Sequence, residues 1–248
     1  MLRNEKKYLV PNHLLDALRN RMEAFVRPDI YSRDQENGIP QYTVRSIYFD
    51  NRRLDCYHEK LEGIFSRRKF RVRGYQPDGK DTQVVLEVKR KIENRVKKHR
   101  AFVKYNQLDL LLSSGDIGKY VHESPENVED ARSQAARFMY HVKKKLFVPT
   151  CLVTYEREAY HGRLDPGVRV TFDKNIRSLL FPNTAGLFME EGLKPVFPSH
   201  FILEIKYFQD EMPRWAKSVV QEFRLRNDAL SKYARGIDVH DSITSKTF

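Results

Sequence analysis

The sequence predicts an α+β fold: an antiparallel β-sheet with helices packed on its outside. Three observations predict it. Eight segments alternate apolar and polar residues with period two and are rich in β-branched and aromatic side chains. Turn signals, rather than long crossovers, join the segments in the middle of the chain. The remaining stretches carry apolar residues at helical spacing, as helices lying against a sheet require.

In chain order the strands are expected at 3–10, 42–50, 65–75, 82–93, 95–104, 149–161, 166–174 and 200–208. Pro77-Asp78-Gly79 marks a turn between the third and fourth, and Asn94 a tight hairpin between the fourth and fifth. The first helix, 11–26, opens on Pro11-Asn12 and places Leu14, Leu15, Leu18, Met22 and Phe25 on one face. Further helices are expected at 52–60, 105–114, 126–146, 212–225 and 228–235. Residues 29–40 and 183–199, with their Gly, Pro, Asn and Gln, read as loops, the former a mobile one. No internal repeat interrupts the pattern, so residues 1–236 are expected to form a single domain, with 237–248 a frayed tail.

Charge narrows the function. The 248 residues hold 45 Lys+Arg against 33 Asp+Glu, a formal net charge of +12. Such an excess steers anions toward the protein, which admits nucleic acid, an anionic membrane or a phosphate-rich small molecule. Cys56 and Cys151 make neither a disulfide framework nor a zinc motif. No apolar run approaches the roughly 20 residues that span a bilayer, and MLRNEKKYLV lacks the apolar core of a signal peptide. A soluble, cytoplasmic protein is the expectation.

Where the charges fall on the strands is more telling than their number. In Lys69-Phe70-Arg71-Val72-Arg73 the cations share one face and the apolar residues the other. Glu87, Lys89 and Lys91 lie opposite Leu86 and Val88, and Glu204 and Lys206 lie opposite Leu203 and Ile205. Glu5 pairs with Lys7 in the same way and Lys98 with Arg100; Arg157 shares a face with Tyr155, and Arg169 alternates with Val168 and Val170. One such strand could be the wetted face of an ordinary antiparallel sheet. Repeated over so many strands, the pattern predicts a sheet closed into a barrel with its charged faces inward. A lumen so crowded with like charge calls for a polyanion or counter-ions. Glu5, Glu87 and Glu204 would balance charge there, or hold a divalent metal together with phosphate oxygens.

Taken in order, Glu5-Lys6-Lys7-Tyr8, Ser46-Ile47-Tyr48-Phe49-Asp50, Lys69-Phe70-Arg71-Val72-Arg73, Leu86-Glu87-Val88-Lys89, Lys98-His99-Arg100, Tyr155-Glu156-Arg157, Arg169, Leu203-Glu204-Ile205-Lys206 and Ser231-Lys232-Tyr233 resemble the VTC-type polyphosphate polymerase domain. That family lies within the wider group of triphosphate tunnel metalloenzymes, also called CYTH. The resemblance implies an eight-stranded antiparallel β-tunnel. It implies transfer of the γ-phosphoryl of ATP to a growing inorganic polyphosphate chain, with release of ADP and dependence on Mn²⁺ or Mg²⁺.

By the same resemblance Arg71, Arg73, Lys89, Arg157, Arg169 and Glu204 would be catalytic. Lys7, Lys98, Arg100, Lys206 and Lys232 would join the cations among them in gripping phosphates, and Glu204, with Glu87 and Glu5, would hold the metal. Phosphoryl transfer asks mainly for alignment and charge neutralisation, which suits such a set. Members that hydrolyse triphosphates begin with Glu-x-Glu-x-Lys, whereas this chain has Arg3 in the first place. Losing that carboxylate weakens a site for activating water and favours the polymerase over a tripolyphosphatase. A non-catalytic polyphosphate- or nucleotide-binding module is the other alternative. Eukaryotic polymerases of this type carry added regulatory and membrane segments that nothing here resembles, which leaves room for a membrane partner protein.

Rival signals are weaker. Phe70 lies opposite the cations rather than beside them, and no helix-turn-helix, zinc finger or RRM pattern occurs, so nucleic acid is not the expected partner. No Gly-rich Walker loop is present, so side chains would hold any ATP. The scattered histidines, including His99 with its opposite parity, read as packing or surface residues. Lys143-Lys144-Lys145 suits a helix C-terminus, with docking of an acidic partner or of polyphosphate as its functional alternative.

Overall fold

A computed structural model describes residues 4–34, 38–77, 79, 82–92, 95–122, 128–208 and 211–240. Its long strands are β1 (Asn4–Pro11), β4 (Pro40–Asp50), β5 (Ser66–Gly74), β6 (Gln83–Ile92), β7 (Arg95–Lys104), β9 (Val148–Gly162), β10 (Arg169–Leu180) and β12 (His200–Tyr207). These are the eight expected from period two. Four short strands join them: β2 (Val26–Pro28), β3 (Arg33–Asp34), β8 (Val121–His122) and β11 (Lys194–Pro195). At two or three residues each, these are too short to show a period, so alternation could not mark them. Every pairing with a described register is antiparallel.

The helices are α1 (Leu15–Met22), α2 (Asp55–Leu61), α3 (Leu108–Ser114), α4 (Ile117–Tyr120), α5 (Val128–Lys144), α6 (Arg214–Glu222) and α7 (Lys232–Asp238). The α+β class and its antiparallel sheet are as the sequence predicts. The loop expected at 29–40 contains β3, and that at 183–199 contains a 3-10 turn and β11. β10 begins at Arg169 rather than 166, because the Val168 N–H closes a turn on the Asp165 carbonyl. It then runs on past 174 through Asn175, which takes a left-handed φ of 46°, a conformation asparagine tolerates better than most residues. α7 passes Gly236 and His240 is buried, so order continues beyond the expected start of fraying at 237. Arg3, the Asp78 and Asn94 turn positions and residues 241–248 lie outside the described residues.

The chain divides into two compact units. The first holds residues 1–43, 155–176 and 195–231, and the second 44–154, 177–194 and 232–248. In the first, the strand order runs β1-β12-β10-β9, with β2 beside β9 and β3 beside β4. The apolar faces of β1, β12 and β10 supply Tyr8, Val10, Val170, Phe172, Leu203 and Ile205 to a core closed by Leu18 and Met22 of α1 and Ala216 and Val219 of α6. In the second, the order runs β9-β4-β5-β6-β7-β8. There Phe138 of α5 meets Phe49 of β4 at 5.3 Å and Phe70 of β5 at 6.3 Å between ring centroids. Helices cover the apolar faces in both units, which leaves the charged faces on the other side of each sheet.

α7 is held against the second sheet by close approach and by one buried carboxylate. Gly236 has no room for a side chain: a Cβ there would lie 3.1 Å from Cys151 Sγ and 3.2 Å from Val153 Cγ2. Asp50, fully buried, accepts the backbone N–H groups of Asn51, Cys56 and Tyr57 and, at 2.6 Å, the hydroxyl of Tyr233. Burial raises the Asp50 pKa against these donors. Tyr233→Phe should therefore cost about 1–3 kcal/mol, the penalty for stripping a donor from a buried acceptor. Urea denaturation that detects no loss would show that Asp50 is satisfied without Tyr233.

Candidate phosphate-binding faces

In the second unit the charged face is built from aligned rungs. Register sets Arg71 opposite Glu87 and Glu87 opposite Arg100, and one step along the strands it sets Lys69 opposite Lys89 and Lys89 opposite Lys98. Glu87, 1% exposed, accepts from Arg71 through one oxygen and from Arg100 Nε at 3.2 Å through the other. Burial alone would raise its pKa, but Arg71, Arg73, Arg100 and Lys98 bring it down to about 2. Arg71 also donates to the Tyr48 hydroxyl at 3.1 Å, and Arg73 to Ser46 Oγ at 3.1 Å. Burial works to raise the Tyr48 phenol as well, yet Arg71, Arg73 and Lys232 hold it below its ordinary value. Seven residues predicted as a set (Arg71, Arg73, Glu87, Lys89, Lys98, Arg100 and Lys232) thus belong to one unit, with cations in excess.

The lysine rung is the costly part. Like charges directly opposite each other on neighbouring strands destabilise a sheet. Lys98 exposes much of its surface, yet protein around its ammonium, and next the Lys89 ammonium, push its pKa down to about 8.

The first unit arranges its charges differently. Register sets Glu5 opposite Lys206 and Lys7 opposite Glu204 on β1 and β12. Lys7 Nζ lies 2.8 Å from Glu5 and 3.7 Å from Glu204, while Lys206 pairs with Glu204 and lies 3.8 Å from Glu5. Two carboxylates and two ammoniums therefore neutralise one another. Arg169 stands opposite Lys206 on β10; it meets Asp29 at 2.9 Å and donates to the Tyr42 hydroxyl at 3.3 Å. Its buried Nε has no hydrogen-bond partner among the described residues. Arg157 is engaged with Asp173, a fully buried carboxylate, through Nε at 2.6 Å and Nη2 at 2.8 Å. This fork holds the side chain that the sequence assigned to phosphate.

Metal-holding capacity follows from the donors. Among the described residues no group of three or more His, Cys, Asp or Glu could hold an ion by itself. Glu5 and Glu204 share the quartet, and hard oxygen donors of this kind suit Mg²⁺ or Mn²⁺ when phosphate oxygens complete the shell. Glu87 fits less well, because arginines take both its oxygens. The sequence reading missed Tyr48 and Ser46, although both lie in a quoted motif and their parity puts them on one face. It also missed Asp29, a lone carboxylate that no spacing distinguishes, and Asp173, which shares the parity of Arg169 in the expected strand 166–174.

A sheet face on which cations outnumber carboxylates has the charge that steers anions toward it. The chain belongs to the VTC domain family: the family model matches residues 2–240, as the resemblance in the sequence implied. No curated protein matches it in sequence. Among solved structures it is similar to a Mimivirus capping enzyme triphosphatase, at 10% identity and a TM-score of 0.31, over 89% of this chain and 88% of that one.

Lys98 supplies a pH test. Its folded pKa of about 8 lies below the ordinary 10.5, so between these values the unfolded chain binds the proton more tightly. Stability from this group should rise as pH climbs from about 8 to about 10.5, and below pH 8 the full repulsion persists. Lys98→Met should flatten that rise in thermal melts compared with the unaltered protein. Parallel curves for the two proteins would remove the repulsive rung.

Proposed function

We propose that this VTC-family chain is a polyphosphate polymerase that moves the γ-phosphoryl of ATP onto the end of an inorganic polyphosphate chain, dependent on Mn²⁺ or Mg²⁺. The observation that carries the reading is the cationic face of β5, β6 and β7, where Lys69, Lys89 and Lys98 repel one another. A phosphate chain laid along that face would relieve the repulsion. In the reaction an oxygen of the chain's terminal phosphate attacks the γ-phosphorus of ATP. A new P–O bond forms, the bond to the β-bridging oxygen breaks, and ADP leaves with that electron pair. No side-chain nucleophile is required.

Arg71, Arg73, Lys89, Lys98 and Arg100 take the phosphate oxygens in this scheme, and Glu87 keeps the arginines extended between turnovers. By the family resemblance Lys7, Arg169, Lys206 and Lys232 would also take phosphate oxygens, while Arg157 is positioned by Asp173. Glu204 and Glu5 are the residues that would hold the ion, once Lys206 and Lys7 turn to phosphate. The bound metal would supply charge neutralisation between phosphate oxygens. The tunnel implied by the family resemblance is the setting, and Arg3 in place of a carboxylate favours transfer over hydrolysis.

A second reading, a module that binds polyphosphate without turning ATP over, is favoured by the quartet: Glu204 is already paired with Lys206 and near Lys7. Product analysis separates the readings. With ATP and Mn²⁺, the polymerase yields ADP and long polymer in equal phosphoryl amounts, a tripolyphosphatase yields free phosphate, and the binding module yields nothing.

Two variants resolve the roles. Glu204→Gln should lower ADP release by about a hundredfold or more, the scale on which lost transition-state charge stabilisation is felt. It should also abolish the Mn²⁺ paramagnetic resonance signal of the triphosphate-bound protein, while triphosphate affinity holds. Arg71→Ala should instead weaken triphosphate binding about ten- to a hundredfold, the worth of a charge-assisted hydrogen bond. Full metal-dependent turnover in Glu204→Gln would make that carboxylate a counter-ion only.

A further inference from the structure

The opposite face of the same three strands carries a second basic site. Period two that points Lys69, Lys89 and Lys98 to one side points Arg68, Arg90 and His99 to the other, where α5 crosses the sheet. There a cavity of about 420 Å³ opens between strands and helix, lined by Arg68, Arg90 and His99 from the sheet and Arg137, Tyr140 and His141 from α5. Register sets Arg68 directly opposite Arg90. Among the described residues no carboxylate lines the cavity. Neither Arg90 nor Arg137 forms an ion pair among the described residues, and both are exposed.

One residue of the cavity wall, His141, is held in a fixed orientation. His141 is stacked against Phe70 at 4.3 Å between ring centroids, and its Nε2 lies 3.4 Å from Arg68 Nη1. Arg68 can only donate, so Nε2 accepts and the imidazole proton sits on Nδ1. That Nδ1 is buried and has no hydrogen-bond partner among the described residues. Desolvation, then Arg68 and Lys145, hold the His141 pKa down to about 4, which keeps the ring neutral and the tautomer defined. Three guanidiniums on one cavity wall, two of them exposed and in no ion pair among the described residues, suit an anion with several oxygens.

We propose that this cavity binds a di- or triphosphate group, separately from the phosphate-binding face across the sheet. Arg68, Arg90 and Arg137 supply forked donors for the phosphate oxygens, and the Tyr140 ring forms part of the wall. Its width suits a short phosphate chain rather than a single ion, whether that chain is inorganic or belongs to a nucleotide. The site uses none of the residues of the proposed polymerase reaction and does not depend on it.

Titration calorimetry with inorganic triphosphate tests it on the whole chain. The unaltered protein should take up two equivalents. Arg71→Ala should weaken one class of site, whereas the double variant Arg90→Ala/Arg137→Ala should weaken the other at least tenfold. ATP competing for that second class identifies a nucleotide's phosphates as the occupant, and its failure to compete identifies the inorganic chain; either upholds the site. A second measurement needs no variant: triphosphate should protect Arg90 and Arg137 of the unaltered protein from phenylglyoxal, read by mass spectrometry in the presence of matched chloride. Unchanged stoichiometry in the double variant, or modification of both arginines at the same rate with and without triphosphate, would overturn the proposal.

Discussion

Glu87 is where the charged face of the second unit closes its account. It is fully buried, it joins Arg71 on one side to Arg100 on the other, and the cations around it bring its pKa down to about 2 against the effect of burial. Removing a partner from a buried pair leaves an uncompensated charge, which costs far more than the pair contributes. Glu87 therefore keeps Arg71 and Arg100 in fixed positions, while Arg73, Lys69, Lys89 and Lys98 make cations outnumber carboxylates around it.

The first unit resolves the same problem by the opposite means. Its β1 and β12 alternate carboxylate and ammonium across the ladder, so Glu5, Lys7, Glu204 and Lys206 are neutral as a group. Arg157 and Asp173 repeat that balance one strand pair away, in a bidentate geometry with the carboxylate wholly buried. An anion approaching this unit must exchange partners rather than fill a deficit. Exchange is easier for ammoniums on flexible stems than for a guanidinium locked in a fork, which separates Lys7 and Lys206 from Arg157 in kind.

The strands were legible because period two is a strong signal in segments of eight or more residues, and the charged faces because the same period sorts side chains without knowledge of the fold. β7 lies at the residues alternation marks, 95–104. Pairing was not legible in the same way. Nothing in Lys7 and Glu204, nearly two hundred positions apart, declares that they stand opposite each other; that follows from register, which the core and the turns decide. Asp29, which meets Arg169, sits in a segment where a lone carboxylate has no periodic meaning; Asp173 shares the parity of Arg169 in the expected strand 166–174, but its pairing with Arg157 on the neighbouring strand follows only from the fold. His99 shows the converse: its parity pointed it away from Lys98 and Arg100, and it lies in the cavity on the far side of the sheet.

That alternation has a consequence for how these three strands can change over time. Neighbours Arg68 and Lys69, Lys89 and Arg90, and Lys98 and His99 face opposite ways with nothing but the backbone between them. Gaining or losing a single residue upstream within β5, β6 or β7 would turn that strand over, exchanging what each face displays and driving Phe70 or Val88 out of the core along with it. Length changes here can be accepted only in twos, or in the turns beyond the strand ends. The two faces must accordingly drift together, so that a lineage altering one of them inherits an altered other.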